Sequence, residues 1–266
     1  IQKSFSKLRK IILDNTSIIE LSPLGPGVFE DATVDTLIFI LSKSSDLDSV
    51  KIKIPNTPSD IVSKKPNLIN SKRFLDNDGY TFDTHLSERM FNIIDKLYSR
   101  SEFLENLFEI GVGINTGYIK KELTSDTKIN EKYHKMISGS GISRYGHCIS
   151  DQWIMYDKDF VKSKGKLGRA LPNKKFFDNE KILVVRTRNL SMKRRIISTI
   201  DLNSSYNLNR LSNIISEKNY SLYGLLGLLN SNLYNWLFSK KFLDYEIKPV
   251  YLRKCPVIIS SLEVLE

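Results

Sequence analysis

Histidine, cysteine and carboxylate side chains could support metal binding or nucleophilic catalysis, but their spacing in this sequence suits neither. The three histidines, His85, His134 and His147, are too few and too scattered for a zinc site. His147 and Cys148 are adjacent, which places the two side chains poorly for a nucleophile and its base. The glycine-rich run 111–117 lacks the spacing of a dinucleotide-binding loop. We therefore predict no catalytic residue and no metal site in this chain.

One carboxylate pattern leaves hydrolysis of nucleic acid open. Asp244-Tyr-Glu246-Ile-Lys248 contains the Glu-x-Lys unit found in metal-dependent nucleases. Such a nuclease needs a second carboxylate from another strand to share the metal, and no Pro-Asp partner is present. A charged surface turn before Pro249 is the simpler interpretation, and a magnesium-dependent nuclease is the enzymatic alternative.

Positive charge is the more informative feature of the sequence. The 266 residues include 40 Lys and Arg against 30 Asp and Glu, a formal net charge of +10. Residues 158–195 hold thirteen Lys or Arg and three Asp or Glu, so this segment alone has an excess equal to that of the whole chain. Concentrated positive charge favours a polyanionic partner, nucleic acid before an anionic membrane surface. A merely solvated surface is the simpler alternative.

Composition and cysteine usage limit the class of protein. Hydrophobic residues make up 41% and charged residues 26% of the chain, as in ordinary folded proteins. No apolar stretch approaches the roughly 18–20 residues that a membrane helix needs, so no membrane partner is expected. Cys148 and Cys255 cannot form a disulfide framework, which favours a reducing, cytoplasmic setting. Because the chain begins with Ile1 rather than Met, we expect a piece of a longer protein.

Hydrophobic periodicity predicts the elements that must position any site. Helical spacing predicts three helices, the last with Ser221 as its N-cap, at residues 1–14, 86–98 and 222–237. Apolar and β-branched runs predict strands at 17–21, 33–41, 152–156, 181–187 and 196–201. The nearly continuous apolar run of the second strand predicts that it is covered on both faces. Residues 42–80 hold three prolines and predict a connector with one short strand at 50–54.

Four motifs between residues 110 and 256 resemble a known family when they are taken in order. Residues 110–117 resemble a G-I-x-T-G strand and turn, and residues 137–145 resemble a G-x-x-I-x-x-Y segment. Residues 177–186 resemble a K-I-x-x-x-R strand, and 225–256 resemble the closing L-L-N-S … Y-L-R-x-x-P signature. This order is similar to that of the TaqI-like C-terminal specificity domain. In adenine-N6 DNA methyltransferases and fused type IIG restriction–modification enzymes, that domain follows the catalytic domain.

The same resemblance implies a particular division of the chain. Residues 29–41 are similar to the last strands of the methyltransferase catalytic domain, so the implied domains are 1–43 (methyltransferase remnant), 44–84 (connector) and 85–266 (target recognition). The implied fold is α+β, a remnant of a Rossmann-like sheet followed by a mixed α/β recognition domain. The Asn-Pro-Pro-Tyr and Phe-x-Gly-x-Gly motifs of the family are absent. We therefore expect S-adenosylmethionine and catalysis to belong to a missing domain in cis, with no cofactor held here.

Target recognition by this family implies two kinds of DNA contact, to base edges and to phosphates. Arginine can bind guanine and asparagine can bind adenine through two hydrogen bonds each, and a tyrosine can stack on or wedge beside a displaced base. The predicted base-reading residues are Arg144, Tyr145, Arg186, Arg188 and Asn189. The predicted phosphate contacts are Lys120, Lys121, Lys193, Arg194, Arg195 and Lys248. For two residues a structural role is an open alternative: a core aromatic for Tyr145 and a salt bridge for Arg186.

The sequence thus favours sequence-specific recognition of double-stranded DNA by the C-terminal specificity region of an adenine-N6 methyltransferase or a fused type II restriction–modification enzyme. Two alternatives remain open. One is a protein- or RNA-interaction module of a phage-defence methyltransferase, and the other is a specificity subunit of a type I system.

Overall fold

The chain folds into two compact units, residues 1–96 and 97–266, and each is described by itself. A computed structural model describes residues 5–31, 34–43, 47–188, 191–218 and 220–262. Both units mix helices with small antiparallel and mixed sheets, which confirms the α+β class. The predicted domain boundaries at 43/44 and 84/85 do not coincide with this division and stay a prediction.

The first unit is built on a four-stranded sheet. Its elements are α1 (Ser6–Asn15), β1 (Ser17–Gly25), β2 (Thr36–Ser42), β3 (Ser49–Ile52), β4 (Asn67–Asn70), α2 (Arg73–Asp76) and α3 (Glu88–Tyr98), the last ending just beyond the unit. The strand order is β2-β1-β3-β4, with β1 and β3 parallel and the two outer pairs antiparallel. Leu21, Val50, Ile52, Ile69 and Phe74 form the core of this unit, each at most 1% exposed.

Two predictions for this unit need correction. Strand β2 is not covered on both faces, because it lies at the edge of the sheet and Leu37, Phe39, Ile40 and Leu41 are each 36–43% exposed. An apolar run indicates that a strand favours burial. It does not show that another part of this chain packs over that strand. The predicted strand at 50–54 is confirmed as β3, and the connector is more structured than predicted because it also contains β4 and α2. A Rossmann-like remnant stays a prediction, because two of the three strand pairs described here are antiparallel.

The second unit contains two four-stranded sheets and a short two-stranded one. Its strands are β5 (Glu102–Phe103), β6 (Glu109–Val112), β7 (Thr124–Ser125), β8 (Tyr133–Ser143), β9 (Gly146–Met155), β10 (Lys181–Val185), β11 (Ser198–Asp201), β12 (Tyr206–Asn207), β13 (Leu211–Ile215) and β14 (Pro256–Val257). The orders are β11-β10-β13-β6, β12-β8-β9-β7 and β14-β5. We call the first the central sheet and the pair β8–β9 the long hairpin.

Helices cover one face of the central sheet. The helices of this unit are α4 (Leu104–Leu107), α5 (Lys120–Leu123), α6 (Lys158–Ser163), α7 (Lys175–Asp178), α8 (Leu222–Asn230), α9 (Asn232–Lys241) and α10 (Pro249–Arg253). The largest apolar cluster joins Ile182, Val184 and Ile214 of the sheet to Leu225, Leu229 and Phe238 of α8 and α9. At about 25 cal/mol per Å² of apolar surface, this burial is the main source of stability in the unit.

The helix predicted over 222–237 is two helices with a break at Ser231. The predicted N-cap is confirmed, since Ser221 Oγ accepts a 3.1 Å hydrogen bond from the Gly224 amide. Ser231 is extended, with φ −67° and ψ 163°, and its Oγ accepts a 3.2 Å hydrogen bond from the Tyr234 amide. Apolar periodicity continues across the break, so it could not reveal that a serine caps a second helix there.

Two asparagines of these helices bind the segment leading into the edge strand β11. Asn230 is fully buried; its Nδ2 donates to Ser198 O at 2.9 Å, and its Oδ1 accepts from Ser198 N at 3.0 Å. Asn235 Oδ1 accepts from the Arg195 amide at 2.6 Å. In an inner strand, backbone groups such as these would pair with a neighbouring strand. Here the amide side chains of the two asparagines bind them instead, as buried polar groups require.

A buried ion pair closes the opposite end of the β10–β11 pair. Lys181 and Asp201 are cross-strand partners, both 0% exposed, and Lys181 Nζ lies 2.7 Å from Asp201 Oδ2. The ammonium also donates to Phe177 O at 2.9 Å, and the carboxylate accepts from the amides of Asn203 and Ser205. Burial lowers the pKa of Lys181, and the Asp201 carboxylate counters that shift. Both charges are compensated, so this geometry holds the loop to β12 against the central sheet.

Replacing Asp201→Asn should destabilise the protein by about 3–5 kcal/mol, because it leaves the Lys181 ammonium buried without its counter-charge. Urea unfolding followed by circular dichroism measures the free energy of unfolding. Glu180→Gln is the matched control, since Glu180 is exposed and next to Lys181, and it should change that free energy by less than about 0.5 kcal/mol. Equal effects of the two substitutions would contradict a dominant role for the ion pair.

Candidate nucleic-acid interface

A cleft of about 510 Å³ opens between the long hairpin and the ends of β10 and β13. We call it the central cleft. Its polar lining comes from α5, both strands of the hairpin and the segments next to β10 and β13: Lys120, Ser138, Ser140, Gln152, Thr187, Arg188 and Arg210. Within the described part of the chain, no Asp or Glu lines it. Three cations without a lining carboxylate make the central cleft suited to an anionic or acceptor-rich ligand.

The tip of the long hairpin presents the predicted residues Arg144 and Tyr145 to solvent. The Tyr145 side chain is 52% exposed, so the alternative of a core aromatic is wrong. Tyr145 has φ 64°, a left-handed conformation that costs a non-glycine residue roughly 1–2 kcal/mol. Its amide donates to Ser198 O at 3.2 Å, and the Arg144 guanidinium lies 5.1 Å from its ring centroid. The tip is thus fixed to the edge of the central sheet, with an exposed ring and a cation.

Arg186 adopts the structural alternative, a salt bridge. Its Nη2 lies 3.1 Å from Glu246 Oε2 and its Nη1 donates to Asn209 O at 2.7 Å, while the side chain is only 18% exposed. The other oxygen of Glu246 lies 3.3 Å from Arg210 Nη1. Glu246 is therefore held between two arginines, which makes it a poor metal ligand and argues against the Glu-x-Lys nuclease.

Arg188 lines the central cleft and is only partly free. Its Nε donates to Arg194 O at 3.0 Å, and burial lowers the pKa of its guanidinium. Asn189, the fifth predicted base-reading residue, lies outside the described residues. Of the five, Arg144, Tyr145 and Arg188 are thus placed where a ligand could reach them.

Two of the predicted phosphate contacts have structural roles in this fold. Arg195 is 2% exposed; its guanidinium donates to Phe242 O at 3.0 Å and to Asp244 O. A phosphate cannot reach it, so this prediction needs correction. Arg194 donates to Asn232 Oδ1 at 2.8 Å and to Asn230 O, where it joins the end of α8 to the start of α9. Both arginines bind backbone carbonyls near helix ends, where positive charge is favourable.

The other predicted phosphate contacts are exposed. Lys120 and Lys121 lie on α5, and Lys193 lies in the loop before β11. Lys248 is paired with Asp244 four residues before it. Charge counting over 158–195 overstated the free charge, because carboxylates from elsewhere in the chain pair with cations of the segment: Glu122 with Lys164, Glu109 and Glu217 with Lys175, Asp201 with Lys181, and Glu246 with Arg186.

Comparison with known families identifies the part of the chain that contains the central cleft. Residues 134–257 match the family model of the TaqI-like C-terminal specificity domain. Over these residues the chain is similar to a TaqI-like specificity domain, and we refer to residues 134–257 as the specificity domain. The predicted resemblance is therefore confirmed, and three of the four motifs lie within the specificity domain, while residues 110–117 precede it.

Two solved structures are similar to the chain at low sequence identity. One is the type IIL restriction–modification enzyme MmeI in complex with DNA, with 11% identity, a TM-score of 0.48, and coverage of 84% of this chain and 34% of that one. The other is the type IIG restriction endonuclease BpuSI, with 8% identity, a TM-score of 0.37, and coverage of 96% and 38%. The chain therefore spans little more than a third of the length of these enzymes. No curated protein matches the chain.

Two features are absent from the described residues. These residues contain no helix long and apolar enough to cross a membrane. They also contain no group of three or more His, Cys, Asp or Glu side chains arranged to hold a metal ion.

Sequence reasoning missed several polar residues of the specificity domain's cleft, above all Arg210 and Gln152. Arg210 stands between Asn209 and Leu211, outside any run of positive charge, and Gln152 begins a segment interpreted only as a strand. Arg210 lies immediately before a buried strand and on the cleft side of it. A sequence gives only a weak indication of such a position. Only the pairing of β13 with β10 brings Arg210 beside Arg186 and Thr187.

Lys193 and Arg195, two residues apart, should respond differently to loss of charge. Arg195→Gln should lower the free energy of unfolding by about 2–3 kcal/mol, because it leaves the carbonyls of Phe242 and Asp244 buried without a donor. Lys193→Gln should change it by less than about 0.5 kcal/mol, since Lys193 is exposed. Urea unfolding of both variants measures the difference, and a stable Arg195→Gln protein would contradict the structural role.

Proposed function

We propose that this chain recognises duplex DNA in a sequence-specific manner, as the specificity region of an adenine-N6 DNA methyltransferase or a fused type II restriction–modification enzyme. The observation that carries the proposal is the central cleft of the specificity domain, which three cations line without a lining carboxylate among the described residues. Such a surface attracts phosphates while leaving hydrogen-bonding side chains free for base edges.

The proposed division of labour follows from exposure. Lys120, Lys121 and Lys193 hold phosphates, because they are exposed and no carboxylate within salt-bridge distance is described for them. Arg144 and Tyr145 at the hairpin tip, together with Arg188 in the cleft, contact bases. Tyr145 stacks on or wedges beside a displaced base, as its exposed ring permits.

The parent enzyme in this proposal carries its chemistry elsewhere. S-adenosylmethionine and the target adenine bind a catalytic domain in cis that contains the motifs missing from this sequence. Residues 1–43 are the end of that domain, and the exposed apolar side chains of β2 support this assignment, since they are a surface that more sheet or helix would cover. The proposed setting is cytoplasmic, where such an enzyme meets its DNA.

The decisive experiment is fluorescence-anisotropy titration of the 266-residue chain with random-core duplexes at two salt concentrations, followed by sequencing of the bound fraction. Enrichment of one motif with salt-sensitive affinity supports the proposal. Tight binding without enrichment contradicts sequence-specific recognition by this chain and leaves a phosphate-binding surface. Absence of binding at low salt contradicts the proposal and favours a protein or RNA partner.

Neutralising a phosphate contact should weaken binding to every sequence by a similar factor. We expect Lys120→Gln to reduce the slope of log Kd against log salt by about one, because each neutralised phosphate releases about one counterion. Lys65→Gln is a control with the same loss of charge at an exposed position of the first unit. If Lys65→Gln reduced the slope as much, the effect would reflect net charge alone.

The Tyr145 ring can be tested without the usual penalty for truncation. Tyr145→Gly removes the ring and also relieves the left-handed conformation, so the free energy of unfolding should stay equal or rise by up to about 1 kcal/mol. DNA affinity should nevertheless fall roughly 5- to 150-fold, which corresponds to 1–3 kcal/mol for a lost base–aromatic stack. Tyr145→Phe keeps the ring and should bind like the wild type. Unchanged affinity of Tyr145→Gly would show that the ring contacts no base.

A further inference from the structure

Three charged side chains meet beside the central cleft, Arg186, Glu246 and Arg210, and of these Arg210 lines the cleft. We call them the Arg–Glu–Arg cluster. Arg186 Nη2 lies 3.1 Å from Glu246 Oε2, and Arg210 Nη1 lies 3.3 Å from Glu246 Oε1. The carboxylate thus uses one oxygen for each arginine, and the cluster retains a net charge of one positive unit.

The backbone beneath this cluster is also fixed. The Arg186 amide donates to Arg210 O at 3.0 Å, and the Ile247 amide donates to Arg186 O at 2.8 Å. Thr187 and Glu246 form an antiparallel bridge. The end of β10, the residue before β13 and the segment before α10 therefore meet here through main-chain hydrogen bonds, so the three side chains start from positions that the fold holds.

The two arginines differ in what remains available to a ligand. Arg186 uses Nη1 on Asn209 O and Nη2 on Glu246, and its Nε is buried, so no edge of its guanidinium faces solvent. Arg210 uses Nη1 on both Thr187 Oγ1, at 3.1 Å, and Glu246. Its side chain is 66% exposed and lines the cleft, and the other edge of the guanidinium, Nε and Nη2, makes no hydrogen bond to a described residue.

An open Nε–Nη2 edge is the part of arginine that forms paired hydrogen bonds with two neighbouring acceptors. Guanine presents O6 and N7 in this arrangement in the major groove, and a bidentate arginine is its commonest specific contact. Holding Nη1 in advance reduces the side-chain entropy lost on binding. Neighbouring residues that contact phosphates would set the register of the protein on the DNA, and they do not need this paired hydrogen-bond geometry.

We propose that Arg210 binds the O6/N7 edge of one guanine in the recognised sequence, with Glu246 as a positioning residue that Arg186 holds in place. The inference rests on the proposed function, because it requires duplex DNA in the central cleft. It replaces Arg186, one of the three arginines that the sequence favoured for base contacts, by its partner across the shared carboxylate.

The test repeats the random-core selection with the full chain and compares the base preference at each position of the motif. Arg210→Ala should lose the preference for guanine at one position by roughly 5- to 150-fold, the range of 1–3 kcal/mol for a bidentate contact, and leave the other positions unchanged. Arg210→Lys keeps the charge but not the fork, so it should lose the same preference and keep the wild-type salt slope. Arg100→Lys, at an exposed arginine of the same unit, is the matched control and should change neither.

Glu246→Gln tests whether Glu246 positions the Arg210 guanidinium. It should reduce the guanine preference at that same position by a smaller factor, because Arg210 loses its fixed orientation but keeps its donors. Thermal unfolding checks that the Arg210 variants remain folded, which their exposed position predicts.

The outcomes separate the two proposals. A guanine preference that survives in Arg210→Ala and Arg210→Lys, with all sequences bound less tightly, would make Arg210 a phosphate contact and overturn the inference alone. A wild-type chain that enriches no motif overturns the proposed function and this inference together. Loss of guanine preference at one position in both variants supports both.

Discussion

The buried ion pair between Lys181 and Asp201 is the interaction on which the recognition surface depends. It lies where the β10–β11 pair of the central sheet leads into β12, and β12 pairs in parallel with β8 of the long hairpin. The central cleft forms between those same two sheets, and the ion pair holds the loop that connects them. A buried ion pair contributes little net stability when it is complete and costs several kcal/mol when it is broken. Its effect here is therefore to anchor the loop that connects the two sheets, while the apolar cluster under α8 and α9 supplies most of the stability.

The arginines of the specificity domain fall into two groups according to what satisfies their donors. Arg194, Arg195 and Arg186 bind carbonyls, an amide or a carboxylate of the protein and shape the fold around the cleft. Arg144 and Arg210 keep exposed guanidinium groups. Arg195 is buried and Arg186 is largely buried, so neither guanidinium is available to DNA. The net charge of +10 is thus a poor measure of the charge that a ligand meets.

The fold gives a physical reason for several residues of the family motifs. Asn230 of the L-L-N-S motif closes the backbone at the start of edge strand β11, and the serine after it caps α9. Gly117 of the G-I-x-T-G motif has φ +55°, and a Cβ there would lie 2.3 Å from Leu167 O, so only glycine fits. Tyr145 of the G-x-x-I-x-x-Y motif is the contrary case, because its backbone conformation favours glycine while the motif retains a ring. Strain kept at an exposed aromatic is typical of a position selected for contact rather than for packing.

The sequence by itself determined the α+β class, the family, the Ser221 cap and the strands around residues 181–185 and 198–201. These properties follow from local backbone geometry, since the period of apolar residues, capping serines and motif order are all read from neighbours in the chain. Only the tertiary structure decided which charges are free. Arg186 binds the Glu246 carboxylate across 60 residues, and Lys175 binds the Glu217 carboxylate across 42. Arg195 binds the backbone carbonyl of Asp244 across 49 residues. Such pairings depend on strand order and register, which no local spacing encodes. For the same reason the exposed face of β2 and the open edge of Arg210 became visible only when the strands were placed side by side.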